Sequence, residues 1–332
     1  MRLDIKCTVN NRGLKKGEKM KEFKIAMLGM VDGNGHPYSW SAMFNGYDKQ
    51  EMEKCPFPVI PRYLEKEPKS SFGVRGAKIT HIWTDDPEDA KKVAKASLIP
   101  NIVNKPEDVI GEVDAVIIGT DKGGEHVWRA RPFVEAGIPI FVDKPLCDNV
   151  EDLNTFRKWV KDGAKIMSSS SLRYTKEYMP YFESTNELGE LRYINMTMAK
   201  TWERYGIHAL EPVYRITGGG YVSVQNTGGI NNNIVHLVHK NGIDINLAVI
   251  YDSAGSELKL VGTKDSVSVP MKDSYYSFHK QLDVFVEYLE TGRTPYPFED
   301  TVELMQIIIA GIRSRNEGGR RVMLDEIKAE MN

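Results

Sequence analysis

Residues 114–145 read DAVIIGTDKGGEHVWRARPFVEAGIPIFVDKP, and this stretch decides the fold. The run Asp114–Gly119 is apolar on both faces, as a strand buried between two helical layers must be. Residues 122–136 follow with helical character until Gly137 stops them, and Ile138–Val142 forms a second strand ending in Asp143-Lys144-Pro145. Two buried strands joined by a helix make a right-handed parallel crossover.

The same alternation extends in both directions. Upstream, Phe23–Leu28 (FKIAML) is a short apolar run ending in Gly29, which predicts a buried parallel strand, followed by a helix over 37–45. Gly46–Gly76 carries Pro56, Pro58, Pro61 and Pro68 and predicts an irregular excursion. Lys78–Trp83 is the next strand, and a helix over 87–97 has Asp86 placed to cap it and Pro87 at its first position. Downstream, a helix at 149–162 and a strand at 164–168 continue the pattern. After residue 170 the segments 190–200, 220–226, 233–239, 244–251, 257–262 and 266–270 are short and β-rich, predicting an antiparallel sheet. Helices return at 203–217, 276–291 and 299–316. The fold class is α/β: a Rossmann-type parallel sheet over residues 20–150, then an α+β domain over 151–332.

Composition agrees. A chain of 332 residues with 41% hydrophobic and 27% charged residues is long enough for two cored domains. Lys+Arg 44 against Asp+Glu 46 leaves −2, with no basic segment, so nucleic acid is not an expected partner. No apolar run approaches the ~18–20 residues that span a bilayer, so no membrane association is expected. Cys7, Cys55 and Cys147 are odd in number and far apart, which predicts neither disulfides nor a zinc cluster and fits a cytoplasmic location. The polar stretch MRLDIKCTVNNRGLKKGEKM has no signal-like apolar core. Gly17-Glu18 can be encoded as a purine run resembling a ribosome-binding site just ahead of Met20. Residues 1–19 are therefore expected to be an extension, either non-native or disordered.

Several segments carry chemistry. Gly29, Gly33 and Gly35 lie in the turn after the first strand, followed by His36. A turn of this kind either serves structure alone or lets backbone N–H groups approach a pyrophosphate at a helix N-terminus, though the spacing is not GxGxxG. At the end of the second strand stand Thr84, Asp85 and Asp86, where an acid normally meets the adenosine ribose. Carboxylates there repel a 2′-phosphate and favour NAD over NADP, while Asp86 also serves as a helix cap. Lys144 sits at a parallel-strand end, where α/β sheets bind ligands. It could hold a substrate hydroxyl and shuttle its proton if burial depresses its pKa. His208, on one helical face with Arg204 and Glu211, is either an acid/base group or a structural histidine. Ser168–Ser171 reads as a polar loop beside the cofactor. His236 and His239 point to opposite faces of a strand, so no metal site is predicted.

Together these pieces resemble the glucose-fructose oxidoreductase/inositol 2-dehydrogenase/rhizopine-catabolism (Gfo/Idh/MocA) oxidoreductases over about residues 23–325. Thr120 and His126 match that family's cofactor-side loop, Asp143-Lys144-Pro145 its Glu-Lys-Pro motif, and Arg173-Tyr174 its Arg-aromatic pair. Gly206-Ile207-His208 matches its Gly-x-His, and residues 300–324 its C-terminal helix and tail. The resemblance implies an open, mostly antiparallel second sheet that binds substrate and mediates a homodimer or homotetramer. It also implies cofactor contacts from the glycine turn, His36, Thr84, Asp85, Thr120, His126, Asp143 and Lys144. Acid/base work falls to Lys144, His208 or Tyr205, and substrate contacts to Arg173, Tyr174, Trp202 and Arg204. Arg204 stands where the family commonly has Asp, four residues before His208, which shifts base duty toward Lys144 or Tyr205. The expected activity is that of an NAD(P)-dependent dehydrogenase acting on CH–OH groups, with NAD moving hydride to or from a secondary hydroxyl of a sugar, inositol or related polyol. The alternatives are an NAD-dependent glycoside hydrolase using transient oxidation and a non-catalytic NAD-binding protein.

Overall fold

The computed structural model describes residues 22–331, so Cys7 and the expectations about residues 1–19 and Met20 fall outside it. The first part runs β1 (Phe23–Leu28), α1 (His36–Asn45), the short α2 (Lys49–Met52) and α3 (Val59–Leu64), β2 (Ala77–Trp83), α4 (Pro87–Ala96), β3 (Asn101–Ile102), β4 (Ala115–Ile118), α5 (His126–Glu135), β5 (Ile140–Val142), α6 (Val150–Lys161) and β6 (Ile166–Met167). Its six strands are parallel in the order β3-β2-β1-β4-β5-β6, the doubly wound arrangement in which β1 and β4 diverge at the centre. Ile25–Leu28 and Ala115–Ile118 are buried on both faces, which explains why their sequences show no alternation.

The sheet does not end at residue 150. Helix α6, capped by the Asn149 side chain, crosses over to β6, which pairs with β5, so the change of sheet follows Met167. The predicted helix over 122–136 starts as α5 only at His126. Gly123, in the tight turn before it, packs so closely on the Cys147 backbone that a Cβ would lie 2.8 Å away. Asp86 caps α4 through the Glu88 N–H, as predicted.

The second part comprises α7 (Met179–Glu183), β7 (Leu191–Ala199), α8 (Trp202–Thr217), β8 (Tyr221–Asn226), β9 (Asn232–His239), β10 (Asp244–Ile250), β11 (Glu257–Gly262), β12 (Ser266–Pro270), α9 (Ser274–Thr291), α10 (Phe298–Asn316), β13 (Val322–Met323) and α11 (Leu324–Ala329). Its seven strands follow the order β12-β11-β7-β10-β9-β8-β13. All neighbours are antiparallel except β7 and β10. Alternate residues of β7, β9 and β10 (Ile194, Met196, Val235, Leu237, Ile245, Leu247) are buried in one core with Leu210 and Val213 of α8 and Ile307 and Ile308 of α10.

The 46–76 excursion, which contains α2 and α3, joins the two parts. Phe57 and Ile60 press on Gly35, where a Cβ would come within 2.5 Å of the Ile60 side chain. The Tyr275 hydroxyl of α9 donates to Ser71 O (2.8 Å), His279 to Gly73 O (3.0 Å), and Arg75 pairs with Glu290 (2.8 Å). No helix among the described residues is long and apolar enough to cross a membrane.

Trp202 is fully buried between α8 and α10, its indole N–H donating to Ile308 O (2.9 Å). A Cβ on Gly311 would lie 2.5 Å from that indole nitrogen. Gly311→Ala should therefore overpack the seam at a cost of about 1–3 kcal/mol, more than the roughly 0.5–1 kcal/mol of helix propensity it gains. A lowered urea midpoint is the expected result.

Candidate functional site

The carboxyl ends of β1, β4 and β5 converge on one cleft, and α8 closes it from the second part. Gly29 turns the chain out of β1 with φ +83°, and a Cβ there would strike Thr120 Cγ2 at 2.7 Å. Gly33 also has positive φ (+79°). The Thr120 hydroxyl, buried beside this turn, has no hydrogen-bond partner. Turn and hydroxyl together leave bare backbone and an unpaired polar group side by side, features suited to holding an anion. Alongside, Leu28, Trp83, Ile118, Trp128, Arg129 and Phe133 line an apolar recess.

The other expected cofactor residues have specific neighbours. The Thr84 hydroxyl is buried and closes a turn onto Asp86 O (2.6 Å), so it does not face the cleft. Asp85 accepts from Arg129 (2.8 Å) and from the Met30 N–H (3.4 Å), pinning the start of the glycine turn. The two ring nitrogens of buried His126 face Thr120 O (2.8 Å) and Leu146 O (3.0 Å), so it ties the loop after β4 to the segment after β5.

Charge concentrates at the end of β5. Asp143 is fully buried and accepts from His36 Nδ1 (2.5 Å), Asn34 Nδ2 (3.0 Å) and its neighbour Lys144 N (2.7 Å). Lys144 Nζ lies 3.4 Å from Asp121 Oδ2, 4.0 Å from Asp143 Oδ1 and 5.1 Å from the Tyr205 ring centre. Asp121 also accepts from Arg204 Nη2 (2.6 Å), which donates in addition to Asp32 O in the glycine turn (3.1 Å). Burial disfavours the Lys144 charge, but Asp143 and Asp121 outweigh it and raise the ammonium's pKa. This corrects the expectation of a depressed lysine: the group is a fixed cation and hydrogen-bond donor. Burial likewise opposes ionisation of Asp121, yet Lys144 and Arg204 hold its carboxyl down at about 2.

His208 is buried with Nδ1 2.6 Å from Ser170 Oγ, its ring edge-on to Tyr205. Burial first, then the Lys144 and His36 charges, keeps its pKa well below the usual imidazole value. His36 stacks on Trp40 (4.2 Å) and meets Phe278 of α9 edge-on (5.3 Å).

Three expected substrate residues lie elsewhere. Trp202 belongs to the core described above, because in a 3.6-residue period it points away from Arg204 and His208. Arg173 is buried, paired with Glu211 (2.7 Å) and stacked on Tyr296 (4.0 Å). With Tyr174, Arg215 and Lys280 it lines a depression that includes neither Lys144 nor His208. His236 and His239 are separated as predicted, one facing Asp244 and the other Gly219 O. The sequence reading missed Asp121, Asn34 and Arg129, and it placed Ser170 only within a polar loop beside the cofactor. Of these only Asp121, three residues past the end of β4, carried a positional signal.

Residues 60–170 match the family described as an oxidoreductase family with an NAD-binding Rossmann fold, Gfo/Idh/MocA. No curated protein matches the chain in sequence. Among solved structures, a putative myo-inositol dehydrogenase from Sinorhizobium meliloti superposes with TM-score 0.70 at 17% identity, covering 91% of this chain and 99% of the other. Myo-inositol 2-dehydrogenase from Lactobacillus plantarum gives 0.72 at 14%, covering 91% and 99%. Scyllo-inositol dehydrogenase from Lactobacillus casei, determined with NAD(H) and scyllo-inositol, gives 0.72 at 13%, covering 92% and 100%. At these identities the likeness establishes the shared fold. Residues 60–170 thus resemble the Gfo/Idh/MocA oxidoreductase model, and the whole chain shares the two-part fold of these structures.

Proposed function

We propose that the protein is an NAD(H)-dependent oxidoreductase acting on a secondary hydroxyl of a sugar, inositol or related polyol. One observation carries this reading. A buried ammonium, Lys144, stands at the carboxyl end of a parallel strand beside the glycine turn, kept charged by Asp121 and Asp143. The glycine turn and Thr120 would hold the diphosphate of the cofactor, and the recess between Trp83 and Trp128 its adenine. Asp85 disfavours a 2′-phosphate, and the nearby Arg129 is already paired with Asp85 and Glu125, which supports NAD over NADP. When bound, the nicotinamide supplies the hydride acceptor or donor.

The protein's part is electrostatic. Lys144 donates to the substrate oxygen and stabilises negative charge developing there, in a site dry enough for the effect to be large. Being already protonated, it takes no further proton, so the base is another group of the cleft. Arg204 occupies the family's acidic position, but Asp121 brings a carboxylate to the same place from the opposite wall. We further propose a homodimer or homotetramer associating through the face of the seven-stranded sheet opposite α8 and α10, where Tyr193, Thr197, Ile234 and Ala248 stay partly exposed. Buried free thiols at Cys55 and Cys147 support a cytoplasmic setting.

Calorimetry of cofactor-stripped protein should detect NAD more tightly than NADP, and a panel of inositols, hexoses and linear polyols should produce NADH with at least one member. Failure to bind either nucleotide overturns the reading. Binding without turnover favours the non-catalytic alternative, and cleavage of an aryl glycoside without net NADH favours the hydrolase. Lys144→Met should lose roughly 10²–10³-fold in turnover.

Acid stability reports on the ion cluster. Asp121 is depressed from an unfolded value near 3.9, so its contribution is present above pH ~4 and disappears as pH falls through about 2. Asp121→Asn should cost about 3 kcal/mol at neutral pH by leaving buried cations unpaired. That deficit should shrink toward pH ~2 in urea titrations.

A further inference from the structure

The hydrogen bonds of the two cleft histidines fix which nitrogen of each bears a proton. The hydroxyl of Ser170, a fully buried residue, accepts the Leu172 N–H (3.0 Å) and has His208 Nδ1 at 2.6 Å. A hydroxyl carries one hydrogen, and buried donors are paired. Nδ1 is its one acceptor among the described partners, so Ser170 donates to Nδ1. Neutral His208 then carries its own hydrogen on Nε2 and offers the cleft a donor with no lone pair.

His36 is arranged the opposite way. Asp143 is ringed by donors, Asn34 Nδ2 and Lys144 N among them, and acts toward His36 as an acceptor. The Asn34 orientation is fixed because its Nδ2 also donates to Gly119 O (3.1 Å) while its Oδ1 accepts the His36 N–H (2.9 Å). His36 Nδ1 must therefore carry hydrogen, and in the neutral ring the lone pair then lies on Nε2. Trp40 and Phe278 lock the ring, and the side chain is 14% exposed. Around it stand Asp143 and Lys144 from the end of β5, Asp121 from the end of β4 and His208 from α8, while α9 contributes the apolar Phe278 ring.

We propose that the His36–Asp143 pair is the proton acceptor of the reaction and that His208 serves as a donor orienting the substrate oxygen. The assignment rests on the oxidoreductase reading above. The substrate O–H bond breaks and its proton passes to His36 Nε2, where Asp143 stabilises the imidazolium. The carbon's hydride leaves with its electron pair for the oxidised nicotinamide, and a C=O bond forms. The alcohol is oxidised, the nicotinamide is reduced, and His36 later yields its proton to water.

The test begins without cofactor or turnover. Protein labelled with ¹⁵N-histidine, with resonances assigned through His36→Gln and His208→Gln, should show His36 protonated at Nδ1 and bare at Nε2, and His208 the reverse. Reversed tautomers in protein that binds nucleotide overturn the assignment alone. Absence of nucleotide binding overturns the oxidoreductase reading and the assignment with it. Kinetically, His36→Gln should lower kcat roughly 10²–10⁴-fold, with KM nearly unchanged. His208→Gln, which keeps an N–H donor, should lower kcat far less. The opposite split between the two variants overturns the proposal.

Discussion

Two carboxylates and two cations, all but Arg204 fully buried, are packed into the space between the halves of this molecule. Asp121 and Asp143 come from neighbouring strand ends of the parallel sheet, Lys144 from beside Asp143, and Arg204 from a helix of the second part. None of these charges is tolerable alone in such surroundings, since removing one partner strands the others at a cost of several kcal/mol. Mutual compensation sets the protonation of the cluster and fixes the position of the lysine. It also fastens α8 to the glycine turn through the Asp32 carbonyl.

The rest of the cleft is arranged around that cluster. His126 packs between the Asp121 loop and the Lys144 segment, with a ring nitrogen facing a carbonyl of each. Asn34 links the glycine turn to both Gly119 and Asp143. Arg129 and Asp85 hold the outer end of the same turn. The glycine turn departs from the usual spacing, yet it is held at three points along its length. That accounts for a defined shape in a segment with few side chains to pack.

What the sequence made legible was local. Apolar runs, caps and glycine stops placed the long strands and helices within a few residues, because each signal lies inside the element it describes, whereas the short β3, β13, α2, α3, α7 and α11 were not foreseen. The contacts that define the site are not local. His36 and Asp143 are 107 positions apart, and Arg204 and Asp121 are 83 apart. Lys144 could be located from its strand, but its charge state depends on a carboxylate on another loop. Trp202 shows a different limit. It opens the helix that carries Arg204 and His208, and the resemblance gave it to the substrate, whereas helical periodicity turns it into the core. Arg173 shows a third: the resemblance gave it to the substrate as well, while its buried partner Glu211, 38 positions on, is visible only in the fold.

Gly35 lacks a side chain because Phe57 and Ile60 occupy the space where one would be. The excursion therefore walls the first turn of α1 with hydrocarbon instead of water. The positive pole of that helix works through a weakly polarisable medium, where a fractional charge reaches further than it does at an open surface. Dissolved ions screen exposed charges over about 10 Å at ordinary ionic strength, but they have little access behind two apolar side chains. An anion seated at this pole would be gripped almost as firmly in brine as in dilute buffer.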